Sequence, residues 1–373
     1  MNPDKILKKV LKNAEGDLAK KDVTDPVIRK DLEYVARVTS NRAGIRLLMS
    51  CLLAKIHEPN LDPRKPYTQI GTDDSFSGRT YDERDLTHFI TENNLPCNST
   101  TAFLTPALRN IDHPLTTDVE IVGRPREMYS STLRLLDEVH KGSVTAKALL
   151  TDAIRLLIQW RNEKRQRMEQ LIEELQGSKG GLPLSSEQIV TLIQQHLACK
   201  NSSRLTVLIV AAAYQAASSR IGEWGKPLQA HNAADFQTKA FGDVEICLVG
   251  DDQVVTAYEM KMKRVTTDDV DVAAQKIARA ESEIQNYIFI TTEQIDPQID
   301  DYAASFYEKT NGTEIAILDC LGFVRHFLHF FHRLRQEFLD AYQELVLIEH
   351  ESAVSQPLKE AFLVLRRAAE SNE

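Results

Sequence analysis

Residues 242–263, GDVEICLVGDDQVVTAYEMKMK, decide the fold. Asp243, Glu245 and Cys247 alternate with Val244, Ile246 and Leu248, the period of a half-buried strand. Gly250-Asp251-Asp252-Gln253 supplies the turn, and Val254 to Lys263 alternates again, with Glu259, Lys261 and Lys263 on the face opposite Tyr258, Met260 and Met262. A turn centred near Asp251 puts Asp243 directly across from Glu259. Cross-strand neighbours of this kind have β-carbons roughly 4.5–5.5 Å apart. Two carboxylates that close repel, and a lysine two residues along the same face offsets only part of the cost, so the cluster calls for a cation.

Working outward, the hairpin is followed by a helix over about 267–283, a strand over 287–292, a helix over about 296–310, a strand over 314–319 and two closing helices. It is preceded by a helical pair, 186–199 and 204–221. Hairpin and then strand–helix alternation predict an α/β fold with a mixed sheet flanked by helices. Farther upstream, Ile6, Val10 and Leu11, then Ile45, Leu48, Met49 and Leu52, recur at helical spacing. Pro59 to Gly78 is punctuated by proline and glycine. Helix is expected over 81–92, again over 101–110, and along 144–176. The stretch GSKGGLPLSS, 177–186, reads as a linker ending in a helix start. It divides a mainly helical N-terminal region, 1–180, from a catalytic region, 181–373, that ends in the C-terminal helices.

Composition narrows the function. The chain has 373 residues and a formal net charge of −9, so any phosphate-binding surface must be a local basic cleft on an acidic body. The longest apolar run, Thr206 to Tyr214, is about half of the roughly 20 residues a bilayer needs. The N-terminus MNPDKILKKVLKN lacks the apolar core of a secretion signal. Five scattered cysteines with no C-x-x-C pair argue against disulfides or structural zinc and for a reducing cytoplasm. No phosphate-cradling G-x-x-x-x-G-K-[ST] loop or G-x-S-x-G elbow is present. His326, His329 and His332 interleave with Phe323, Phe327, Phe330 and Phe331, which suits an aromatic core or dimer face better than a metal stripe.

Two carboxylates beside a lysine suit phosphodiester hydrolysis. Mg²⁺ takes one or two carboxylates and completes its shell with water and substrate phosphate. Asp243 and Glu259 are the expected Mg²⁺ ligands, and Lys261 the group that orients or deprotonates water and offsets phosphate charge. In motif terms this is D-x(15)-E-x-K, which resembles the PD-(D/E)xK nuclease superfamily, with Gly242 where that motif has proline. The plain alternative is a solvated strand face. Glu245, Glu223 at the end of the preceding helix, and Gln275 with Lys276 on the following helix are candidate supporting groups; Glu223 also reads as a simple helix-end charge. Candidate DNA contacts are Arg79, Arg84, Asn98, Arg109, Asn232, Gln237 and Lys239, by the bidentate logic of Arg with guanine and Asn or Gln with adenine. Lys263 and Arg264 are candidate phosphate contacts.

The blocks HNAADFQTKAFGDVEI, YEMKMKRVTTDDVDVAAQKI and SFSGRTYDERDLTHFITENNLPCNSTTAFLTPALRN resemble the SacI family of type II restriction endonucleases, over roughly residues 30–350. The resemblance implies a homodimer that cuts both strands of double-stranded DNA at a short palindrome with Mg²⁺, alongside a cognate DNA methyltransferase of the same system. The family's named member reads GAGCTC, and the palindrome for this chain stays open. Two other readings remain at this point: a structure-specific or nonspecific nuclease, and a DNA-binding protein that has lost cleavage.

Overall fold

The computed structural model describes residues 2–98, 100–177, 182–229, 240–279, 284–310 and 312–371. The chain divides into two compact units, Met1–Arg167 and Met168–Glu373.

The first unit is helical: α1 (Pro3–Gly16), α2 (Pro26–Arg37), α3 (Ala43–His57), short α4 (Gly78–Tyr81) and α5 (Thr87–Glu92), α6 (Arg126–Lys141), and the start of α7 (Ala146–Gly177). Asn2 and Asp25 cap α1 and α2, each with proline in the first turn, where its missing N–H costs nothing. The central helix α3 is buried on every side from Ala43 to Ala54, as its apolar sequence AGIRLLMSCLLA requires. The helix expected over 81–92 exists but starts earlier and contains a wider π turn, Asp82–Leu86. The helix expected over 101–110 is absent. Only the 3-10 turn Ala102–Leu104 forms, because Asp82 accepts from Thr101 Oγ1 (2.7 Å) and the Ala102 N–H (2.9 Å) and draws this segment inward.

The second unit carries the sheet. After α8 (Ser186–Leu197) and α9 (Ser203–Ile221) come β1 (Glu223–Gly225), β2 (Val244–Leu248) and β3 (Val254–Lys261), then α10 (Thr267–Ala278), β4 (Asn286–Thr291), α11 (Pro297–Ala304), β5 (Glu314–Asp319), α12 (Cys320–Phe330), α13 (Arg335–Ile348) and α14 (Gln356–Glu370). Strand order is β1-β2-β3-β4-β5, antiparallel over the first three and parallel over the last three. The expected mixed sheet is therefore present. Val244 pairs with Tyr258, Glu245 with Ala257 and Ile246 with Thr256; a bulge after Ile246 then brings Cys247 to Val254.

Both sheet faces are covered. Val244, Ile246, Tyr258 and Ile290 share a core with α8, α9, α12, α13 and α14. Ala257, Tyr287, Phe289, Ile315 and Ile317 pack against Val270, Ala273 and Ile277 of α10 and Ala303 of α11. No described helix is long and apolar enough to cross a membrane, and all five cysteines are free thiols.

Candidate active site

The site begins at a glycine. A β-carbon at Gly242 would stand 2.4 Å from the Tyr258 carbonyl oxygen, so only glycine lets this segment meet β3 as closely as it does. A proline at 242 would meet the same clash. Asp243 follows one step beyond the Val244–Tyr258 pair, and its Oδ2 accepts from the Met260 N–H at 2.8 Å. That bond ties an exposed carboxylate to the strand bearing Glu259 and Lys261.

Glu259 and Lys261 lie on the face that α10 covers, so that face is partly roofed and not the solvated face of the alternative reading. Lys261 Nζ is 3.4 Å from Glu259 Oε1 and 2.9 Å from Asp269 Oδ1. Lys276 Nζ reaches Glu259 Oε2 at 3.6 Å, and the Tyr287 hydroxyl lies 3.4 Å from the same oxygen. Burial pulls the Lys261 pKa down, but the hydrogen bond to Asp269 and the Glu259 charge outweigh it, leaving the pKa above its ordinary value. Burial raises the Asp269 carboxyl, yet bonds from Lys261 and Thr266 prevail and hold it below the carboxylate range. The resting site therefore contains a firmly charged ammonium between two carboxylates. Such an ammonium suits electrostatic stabilisation of an anion rather than proton abstraction.

The candidate supporting residues fare differently. Glu245 Oε1 accepts from the Phe241 N–H at 2.7 Å, which fixes the turn ahead of Asp243. Phe241 in turn accepts from the Tyr287 hydroxyl at 3.1 Å. Glu223 is not brought to the triplet. It lies on edge strand β1 opposite Leu248, at the far end of β2 from Asp243, where its charge acts on the Tyr214 and Tyr258 hydroxyls. The helix-end reading of Glu223 fails because Gly222, in the left-handed region at φ 74°, ends α9 and frees the next residues to pair as a strand. Gln275 is exposed on α10; its neighbour Lys276 is the side chain that turns toward Glu259.

Asp269 and Tyr287 are residues the sequence reading missed. The signal for Asp269 was available: Thr266-Thr267-Asp268-Asp269 is a T-x-x-D capping box, and the structure forms it reciprocally. Its second task, holding Lys261, needs the three-dimensional fold.

Among the candidate DNA contacts, Arg79 is exposed and paired with Glu83 at 2.7 Å, Arg84 is paired with Asp85 at 2.9 Å, and Arg109 is exposed. The Asn98 carbonyl accepts from buried Arg46, which gives that segment a structural task. Lys263 and Arg264 are exposed just past the end of β3. Asn232, Gln237 and Lys239 lie outside the described residues. His326 stacks on Phe330 and His329 meets Glu187 at 3.1 Å; among the described residues, no group of three or more His, Cys, Asp or Glu is arranged to hold a metal ion.

Residues 183–293 match the family model for the SacI restriction endonuclease C-terminal domain, a span that contains β1 to β4 and every residue of the triplet. No curated protein matches the chain.

Proposed function

The chain belongs to the SacI restriction endonuclease family through its C-terminal domain, and from that premise we propose that it is a type II enzyme cutting both strands of a short palindromic DNA site by Mg²⁺-dependent phosphodiester hydrolysis. The catalytic region, 181–373, is read as a PD-(D/E)xK core with Asp243, Glu259 and Lys261 as its working residues. The observation that carries this reading is the tie between Asp243 and the Met260 amide, which draws one carboxylate to the strand holding a second carboxylate and a charged lysine.

The donor set fits Mg²⁺. Asp243 and Glu259 offer hard carboxylate oxygens, and two of these suffice when waters and a substrate phosphate complete an octahedron. Asp243 and Glu259 would hold the ion. When bound, Mg²⁺ lowers the pKa of a coordinated water and offsets charge on the scissile phosphate. The chain's own groups do the rest. The Met260 amide orients Asp243. The 3.4–3.6 Å contacts to Glu259 from Lys261, Lys276 and Tyr287 are long ones, so its carboxylate can exchange them for stronger partners. Lys261, kept charged by Asp269, stabilises the phosphorane oxygens.

A palindromic target suits a two-fold homodimer, because each copy then meets one strand in the same way. The N-terminal region, 1–180, is the proposed sequence reader, a cognate methyltransferase would protect the host's own sites, and the cytoplasm is the proposed compartment. Plasmid DNA incubated with the protein and Mg²⁺ should give discrete bands whose ends share one palindrome, and EDTA should abolish them. Lys261→Ala should lose cleavage while keeping DNA binding. Smeared products, or no cleavage with any divalent ion, would overturn the reading.

A further inference from the structure

The first unit contains a concavity of about 390 Å³, outside the stretch matched by the family model. Its floor is apolar. Tyr67 and Phe103 are buried there and meet edge to face with ring centroids 5.7 Å apart. Its rim carries four exposed side chains with fork-like polar ends, Gln69, Arg79, Arg109 and Asn110. They come from separate segments: a 3-10 turn at Thr68–Ile70, the start of α4, and the stretch 105–125, which has neither helix nor strand. Compact domains rarely carry a loop of that length without a functional reason.

These segments are bonded to one another. The Gly78 N–H donates to the Pro66 carbonyl at 2.9 Å, and a β-carbon at Gly78 would strike the Phe103 ring at 2.3 Å. Ser50 Oγ donates to the Gly78 carbonyl at 2.9 Å. Behind them Arg46 and Asp82 form an ion pair exposed by no more than 1%. Arg46 also donates to Thr87 Oγ1 (2.6 Å) and to the Asn98 carbonyl, while Asp82 accepts from Thr101 and Ala102. Farther along, the Leu115 N–H donates to the Arg64 carbonyl at 2.7 Å. An irregular surface is thus held in place before any ligand arrives, which lowers the ordering cost of binding.

An aromatic floor beneath paired donors and acceptors matches one ligand chemistry well. Arg presents two N–H groups to guanine O6 and N7, and Asn or Gln pairs with adenine N6 and N7. Among the described residues Arg79 pairs with Glu83, an exposed bond worth little in water and easily given up. We propose that this cleft takes a purine of the DNA substrate and sets the sequence the enzyme cuts, with Arg79, Arg109, Asn110 and Gln69 as its specificity-determining residues. The inference rests on the restriction reading above. The purine is either read at its edge within the duplex or turned out of it.

The test uses the full-length protein on a DNA library with a randomised site, sequencing the cut ends. Arg109→Ala and Asn110→Ala should cut the wild-type site about tenfold to a hundredfold more slowly and accept other bases at one position. Arg109→Lys, which keeps charge but loses the fork, should relax specificity in the same way. Lys8→Ala, at an exposed position of α1, should leave the cut sequence unchanged, and thermal melts should show every variant folded. A 2-aminopurine placed at each purine of the site then identifies the source, since strong fluorescence on binding marks a base turned out and a quenched signal marks edge reading. The proposal is overturned if the rim variants keep the wild-type sequence and rate, or slow equally on every sequence, as phosphate contacts would. A wild-type protein that cuts no defined site would instead refute the restriction reading itself.

Discussion

Alanine at Gly242 tests the geometry of the site through its most crowded point. The new β-carbon would lie 2.4 Å from the Tyr258 carbonyl oxygen and 3.0 Å from its carbon, both backbone atoms. Neither can rotate away, so the segment must retreat by about 0.6 Å to reach even a 3.0 Å contact, and by about 1 Å for an ordinary one. Gly242 directly precedes Asp243, whose carboxylate bonds the Met260 amide at 2.8 Å. A retreat of that size stretches the bond to about 3.4–3.8 Å, past useful N–H···O range. Overpacking of this kind costs about 1–3 kcal/mol of stability. A 1 Å misplacement of a reacting group costs about a hundredfold in rate. Single-turnover cleavage of a plasmid site in Mg²⁺ reads the rate; DNA binding in Ca²⁺ and a thermal melt separate it from binding and folding. Gly225→Ala serves as control, because its β-carbon meets only Ile246 at 3.6 Å. Cleavage by Gly242→Ala within about threefold of wild type would show that the approach to Tyr258 does not position Asp243, and the reasoning would fall.

Other expectations follow from the ion pairs and buried groups. Asp269→Asn keeps an oxygen for the Thr266 cap but removes the charge that raises Lys261, so the alkaline limb of the cleavage rate should move to lower pH; superimposable profiles would refute the pairing. In the wild type that pair stabilises the fold at neutral pH. Its contribution is lost as pH falls through the lowered Asp269 pKa or rises through the raised Lys261 pKa. Buried His196, which accepts from the Tyr342 hydroxyl and donates to the Leu358 carbonyl, has its pKa pushed down by burial to about 4. It is neutral in the fold and protonates more readily when unfolded, so stability should drop by about 3 kcal/mol between pH 6.5 and 4. Urea melts at several pH values measure this drop, and His196→Gln should lessen it. Asp82→Ala strands a buried guanidinium and should cost about 3–5 kcal/mol in a melt; a loss under about 1 kcal/mol would mean the pair does not hold the cleft.

The hairpin was legible because alternation survives burial: Val244, Ile246 and Tyr258 face one core, and the residues between them, such as Ala257, face the other. Its register followed from the turn, although the bulge after Ile246 was invisible to a count of residues. β5 falls on the residues expected, whereas β1 hid behind the apolar run of α9, since three residues cannot show a period. The helix anticipated over 101–110 failed because a buried carboxylate, Asp82, claims that backbone from outside the segment. No local propensity records such a claim. The same holds for Asp269 and Lys276: helical phase places both on α10, but only the packing of that helix over β3 brings them to Glu259 and Lys261.

Asp269 begins a helix and restrains an ammonium with one carboxylate. A residue with two employers cannot drift to suit either. With Lys261 in its proposed role, a replacement that keeps the cap but not the charge, or the charge but not the reach, is expected to change cleavage and the melting curve together. One carboxylate thus binds positions 261, 266 and 269 together, across a strand end and the first turn of α10. The bond that starts α10 and the bond that restrains Lys261 therefore stand or fall together.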